Sequence, residues 1–140
     1  MTRRSNLALL AFLATGALSA ACSDSEAPAE DHTPVTFLVL VNGTPVADDT
    51  VRLTQGGIDT VRIKFVNAAG DTLDDVEAGH FSALTFTPGT DIAAVMDPAH
   101  HFRHAVQATA ASGTAGDLDI GYGHDALADE HSFGTKFKVE

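Results

Sequence analysis

Residues 60–66 read Thr60-Val61-Arg62-Ile63-Lys64-Phe65-Val66. Apolar Val61, Ile63 and Phe65 alternate with charged Arg62 and Lys64, the period of two that a half-buried β-strand requires. The run stops at Asn67-Ala68-Ala69-Gly70-Asp71, residue types that favour turns over either regular structure. One face of this strand therefore belongs to a core and the other to water.

The same signal recurs outward in both directions. Upstream, Val35–Val41 is almost wholly apolar and ends at Asn42-Gly43, and Val51 and Leu53 precede Gln55-Gly56-Gly57. Downstream, His80–Thr87 sets Leu84 and Phe86 on one face and stops at Pro88-Gly89. Ile92–Met96 ends before Pro98, and Phe102–Ala110 runs to a loop holding Ser112, Gly113 and Gly116. Leu118, Ile120 and Tyr122 then alternate with Asp119 and Gly121, and Phe137 and Val139 alternate with Lys136 and Lys138. No stretch holds a 3.6-residue apolar period over three turns, and residues 126–131 have room for one helical turn at most. The expectation is an all-β chain: an immunoglobulin-like β-sandwich of about seven to eight short strands over residues 35–140. It lacks the antibody-type Cys…Trp…Cys signature, so it resembles the generic bacterial Ig-like module by pattern. A transthyretin-like or cupredoxin-like sandwich is the competing topology.

Composition narrows the function classes. The 140 residues carry 8 Lys+Arg against 19 Asp+Glu, a net charge of −11. With 44% apolar residues the chain is too apolar for a disordered acidic tail, and it lacks the basic patch that phosphate contacts need. No nucleic-acid partner is expected. A single Cys excludes a disulfide framework and any multi-Cys zinc site.

That cysteine, Cys22, closes the N-terminal segment. Arg3 and Arg4 precede an apolar run from Leu7 to Leu18 that ends in small residues. Twelve residues are too few to cross a hydrocarbon core, which takes about 20, so residues 1–21 read as a cleaved secretory signal. Leu18-Ser19-Ala20-Ala21-Cys22 resembles the lipobox of bacterial lipoproteins, although Leu stands four positions before the Cys rather than the favoured three. The resemblance implies lipidation of Cys22 and stable membrane attachment through it. It also bears on sorting. Ser23 stands where Asp would signal inner-membrane retention, so the expected address is the cell envelope: the periplasmic face of the outer membrane, or the cell surface. Asp24, one position later, leaves the inner membrane open. Residues 22–34 then form the lipidated Cys and a flexible acidic tether. The first 21 residues hold two Arg and no acid, so the remainder carries −13, a charge that attracts cations.

Seven His against three Lys is the unusual count. If successive strands run up and down, the loops near 67–80, 97–101 and 123–134 share one end. They hold His80, His100, His101, His124 and His131, with His104 just inside a strand and His32 apart in the tether. Imidazole is the commonest protein ligand for Zn(II), Cu(II) and Ni(II), and side chains from separate loops can converge on a tetrahedral ion. The expected site is His80, His101, His124 and His131. His100, His104, Glu77, Asp125, Asp129 and Glu130 are possible further ligands or partners for the imidazole N–H. Zinc is the first choice and copper(II) or nickel(II) the alternatives, while Cu(I) is disfavoured by the shortage of sulfur ligands. His104 shares parity with Phe102 and Val106 and reads better as a packed structural residue. Solvated loop histidines and a pH-responsive set are the competing accounts of the others.

Other motifs are weaker. Asp71–Glu77 is acidic but lacks Asp-x-Asp-x-Asp-Gly spacing, and Gly121-Tyr122-Gly123 reads as a strand end with close backbone approach. The chain has neither H-E-x-x-H nor G-x-S-x-G, so no enzyme is expected. The functional expectation is a membrane-anchored lipoprotein that binds or delivers a divalent metal. The alternative is a structural or interaction module that docks an envelope protein partner.

Overall fold

The computed structural model describes residues 31–75, 79–125 and 127–140. Cys22 and Glu77 lie outside the described residues. The strands are β1 (Pro34–Val41), β2 (Thr44–Pro45), β3 (Thr50–Leu53), β4 (Ile58–Asn67), β5 (Phe81–Thr87), β6 (Ile92–Asp97), β7 (His100–Ala108), β8 (Ala115–Gly123) and β9 (His131–Val139). Among the described residues no helix forms, and residues 127–130 make a turn rather than the single helical turn their spacing allowed.

Two sheets face each other. One runs β2-β1-β4-β7-β6 and the other β3-β9-β8-β5. The pairs β1–β4, β4–β7, β6–β7, β5–β8 and β8–β9 are antiparallel, and β3 lies parallel to β9. Strands β1, β4, β7 and β6 thus fill the A, B, E and D places of a constant-type immunoglobulin sandwich, and β5, β8 and β9 fill C, F and G. The leading strand is shared, β1 joining one sheet and β3 the other. The fold is an immunoglobulin-like β-sandwich.

The parity read from residues 60–66 sets the core. Val61, Ile63 and Phe65 are buried while Arg62 faces solvent. Phe65 sits edge-on to Phe102 at 4.9 Å and to Tyr122 at 5.1 Å, so three strands from both sheets meet at one ring. Leu118, Ile120, Tyr122, Phe137 and Val139 fill the facing sheet as their alternation required. Toward the other end, Phe86 meets Phe137 edge-on at 5.1 Å.

Two of the boundaries that differ from the sequence reading bear on the histidines. Strand β9 starts at His131 rather than 135, because Tyr122 pairs with His131 and Gly121 with Ser132. Small, weakly patterned Ser132, Gly134 and Thr135 hide this pairing from a periodicity test. Strand β7 begins at His100, so His100, His101 and His131 are strand residues, not loop residues.

Candidate functional site

Three connections meet at the end of the sandwich where β4 and β8 finish: residues 68–80, 98–99 and 124–130. The first is built on Asn67. Its side-chain oxygen accepts from Ala69 N–H at 3.0 Å and Asp71 N–H at 2.9 Å, bending the chain back. Buried Leu73 then anchors the loop, with its N–H donating to Phe65 O at 2.9 Å. The loop returns through Gly79 at φ +110°, and His80 follows, 95% buried.

The 124–130 connection depends on two glycines. A Cβ on Gly121 would lie 2.2 Å from Ala128 O, and one on Gly123 would lie 2.9 Å from Ala128 Cα. Their bare backbone lets the loop fold over the end of β8 and bury Ala128. Glu130 N–H donates to Tyr122 O at 3.1 Å, and the Glu130 carboxylate reaches back to His124. It accepts from His124 Nδ1 at 2.6 Å and from His124 N–H at 3.3 Å. The His124 ring N–H holds the Glu130 carboxyl below the usual carboxylate range against a smaller opposing effect of burial, and the His124 backbone N–H adds a lesser lowering.

The segment before β1 joins the same end. Tyr122 Oη donates to His32 O at 2.8 Å, and Asn67 Nδ2 donates to Asp31 O at 3.0 Å. The His32 ring thereby lies 4.8 Å from that of His80, which in turn lies 5.1 Å from His124. Sequence reasoning placed His32 apart in a tether. The structure seats it beside the domain, and no local signal in the sequence announces the two hydrogen bonds that do so.

Tautomers follow from the acceptors. A carbonyl oxygen only accepts, so Nδ1 of His80, 3.3 Å from Asp74 O, carries the proton. The same holds for Nδ1 of His101, 2.7 Å from His80 O. At His124 the acceptor is the Glu130 carboxylate. In their neutral forms the His101 and His124 rings therefore present an acceptor lone pair at Nε2, and each has the carbonyl or carboxylate partner that metal-ligating histidines usually have.

The expected four-histidine set is not gathered as a unit. His101 stacks on Phe81 at 4.5 Å and 12°. His131 contacts the Tyr122 ring at 5.9 Å. His100 Nδ1 is buried, lacks a hydrogen-bond partner and lies 3.6 Å from Asp75 Oδ2, which also pairs with Arg62 at 3.1 Å. Asp125 caps its own loop by accepting from Leu127 N–H at 2.8 Å, and Asp129 is exposed. Among the described residues no three His, Cys, Asp or Glu side chains are arranged, as they stand, around one ion.

His104 stands apart from the rim. It is 98% buried in β7, and burial pushes its imidazole down to about 4. Ser82 Oγ donates to His101 O at 2.7 Å and lies 2.8 Å from His104 Nε2. With its proton already given to a carbonyl, Ser82 accepts from His104 Nε2–H. A buried hydroxyl in that state is a structural link between sheets, not an activated nucleophile.

No protein-family model matches the chain, and no curated protein matches it. Among solved structures, the crystal structure of domains 4 and 5 of the S-layer protein SbsC is similar at a TM-score of 0.46 and 13% identity. The likeness covers 76% of this chain and 53% of that one, so the chain spans about half the length of that structure.

Proposed function

We propose that the chain is a membrane-anchored envelope lipoprotein whose imidazole-bearing end holds a divalent transition ion, zinc foremost, with copper(II) or nickel(II) as alternatives. The observation that carries this is the pair His80 and His124. Their rings are 5.1 Å apart, and each Nδ1 lies within hydrogen-bond distance of an oxygen acceptor, Asp74 O for His80 and the Glu130 carboxylate for His124. Two imidazoles bound through nitrogen at about 2.0–2.1 Å to one tetrahedral ion have centroids roughly 5 Å apart. The role is binding or delivery, with no reaction assigned. Anchoring rests on the run from Leu18 to Cys22, and the outer-membrane periplasmic face or the cell surface on Ser23 following the cysteine.

Calorimetric titration of zinc into the chain from residue 23 onward, which keeps every described residue, tests the site. One ion per chain should bind, and the double change His80→Ala/His124→Ala should abolish uptake. A separate change, Cys22→Ala, should release the protein from membranes.

A specific observation favours the second reading, a protein-docking module. Val95, at the edge strand β6, is 67% exposed and Ile58 69%, on a sheet whose outer face also carries exposed Ala93 and Ala105. Unpaired, apolar edges of this kind admit strand addition by a partner. A chain that takes up no zinc, copper or nickel at neutral pH would favour this reading.

A further inference from the structure

Resting on the docking reading above, and independent of any metal, we infer that β6 receives an extended basic segment of a partner protein. The segment pairs antiparallel to Ile92–Met96 and sets a Lys or Arg beside Asp91. Strand β6 ends the five-stranded sheet, and among the described residues no strand pairs with its far side. Asp91 O accepts from Thr109 N–H at 2.7 Å, which fixes the alternation of the ladder. Ala93 and Val95 likewise turn their main chain toward β7, and Ile92, Ala94 and Met96 turn theirs outward. Ile92 N–H is already given to Gly89 O at 3.3 Å, whereas Ala94 presents both N–H and C=O to a strand laid alongside. Exposed edges are commonly guarded by Lys, Pro or another charge, and Ile92–Met96 contains none of these. The register shift in the ladder falls after Met96 and leaves the run intact.

The outer face beside this edge has places for side chains. A depression of about 450 Å³ lies between Val95 and Arg103 over the small Ala105. A second, of about 260 Å³, lies between Asp91 and Gln107 beside Ala93. Strand addition takes its affinity from main-chain hydrogen bonds and its specificity from such places for alternate side chains. The first suits an apolar residue opposite Val95. The second suits a cationic residue further toward the C-terminus of an antiparallel strand.

Charge decides the occupant. Asp91 is exposed, and its carbonyl, not its carboxylate, accepts from Thr109 and Ala110 N–H. Asp97, at the other end of β6, accepts from Arg103 Nε at 2.9 Å and is balanced by it. The carboxylate of Asp91 is therefore the free charge of the edge. A second copy paired about Ala94 would set Asp91 of each copy against Asp97 of the other, and each copy carries −11. The chain's own residues 23–30 hold Asp24, Glu26 and Glu30 and no base, so they match the edge no better. Opposite charges facing across paired strands stabilise the pairing and like charges oppose it.

The test titrates two blocked synthetic peptides of alternating Thr and Val, one ending in Lys and one in Glu, into isotope-labelled chain from residue 23 onward. The Lys peptide should bind with amide shifts centred on Ala94 and Met96, and the Glu peptide roughly fivefold more weakly. Asp91→Asn, which suits the same backbone at φ +66°, should erase that difference. Ala94→Pro removes an outward N–H and leaves the β7 ladder its donors, so it should weaken both peptides on the order of tenfold. Circular dichroism and melting establish that each variant is folded. If both peptides bind β6 equally in the unchanged chain, the docking reading stands and the charge assignment is wrong. If neither binds, or the shifts lie away from β6, both are wrong. A chain that doubles its mass in light scattering without peptide, and loses the doubling in Ala94→Pro, would make the occupant a second copy and overturn the proposal.

Discussion

The two ends of the sandwich are closed by different chemistry. At the end opposite the imidazoles, buried Asp59 accepts from Asn42 Nδ2 at 2.7 Å, Thr54 N–H at 2.6 Å and Thr54 Oγ1 at 3.2 Å. Main-chain bonds finish that closure, among them Gln55 N–H to Glu140 O and Gly56 N–H to Ala108 O, both at 2.8 Å. The imidazole end has backbone bonds too, but histidine rings make its decisive contacts: His80 to Asp74, His101 to His80, His124 to Glu130. Amides and hydroxyls do not titrate near neutral pH, whereas imidazole does, and its neutral form ligates transition ions. The same fold thus closes one end around a buried carboxylate and the other partly through histidine rings.

The largest expected effect is common to both ends. Phe65→Ala should cost about 3–5 kcal/mol in urea denaturation, because the ring joins Phe102 and Tyr122 across the sheets. Arg62→Ala, three residues away on the exposed face, should cost less than about 1 kcal/mol despite its pairing with Asp75. Equal losses would contradict the sheet parity on which both ends are built.

Acid should act next, through the buried His104. His104 titrates near 4 when folded and about 6.5 when unfolded, so between these values the unfolded chain binds the extra proton. Stability should therefore fall by about 3 kcal/mol as pH drops from about 6.5 to about 4, and this contribution should level off below. His104→Gln should flatten that part of the profile in urea midpoints measured across the range. A profile unchanged by the substitution would remove His104 as the cause.

Asp59→Ala should have a smaller effect, about 2 kcal/mol, by leaving the Thr54 N–H and the Asn42 amide without their acceptor. The loss should be the same with and without zinc. If it also removed a zinc response, the ends would not be independent.

Much of this contrast can be read from the chain before folding. Alternation at Val61, Ile63 and Phe65 orients the strands, and counting their reversals puts the histidine-bearing loops at one end. Gly121 and Gly123 flag a close backbone approach, and the returning loop at Ala128 is what they accommodate. Which rings meet is not readable in this way. That depends on Glu130 folding back to His124 within one loop and on Tyr122 and Asn67 holding residues 31 and 32 from far along the chain, contacts with no periodic signature. The Asp59 closure is hidden for the same reason: an acidic residue beside Ile58 in a strand looks like a solvated position until Asn42 and Thr54 surround it.

The central claim is that the imidazole end binds metal, and its most direct measurement is the melting temperature of the chain from residue 23 onward, with and without zinc. An ion that binds only the folded chain adds about 2.7 kcal/mol at a hundredfold excess over Kd, so at pH 7.5 melting should rise by several degrees. The rise should vanish in His80→Ala/His124→Ala. A melting temperature unmoved by zinc, copper(II) and nickel(II) at pH 7.5 would contradict the account.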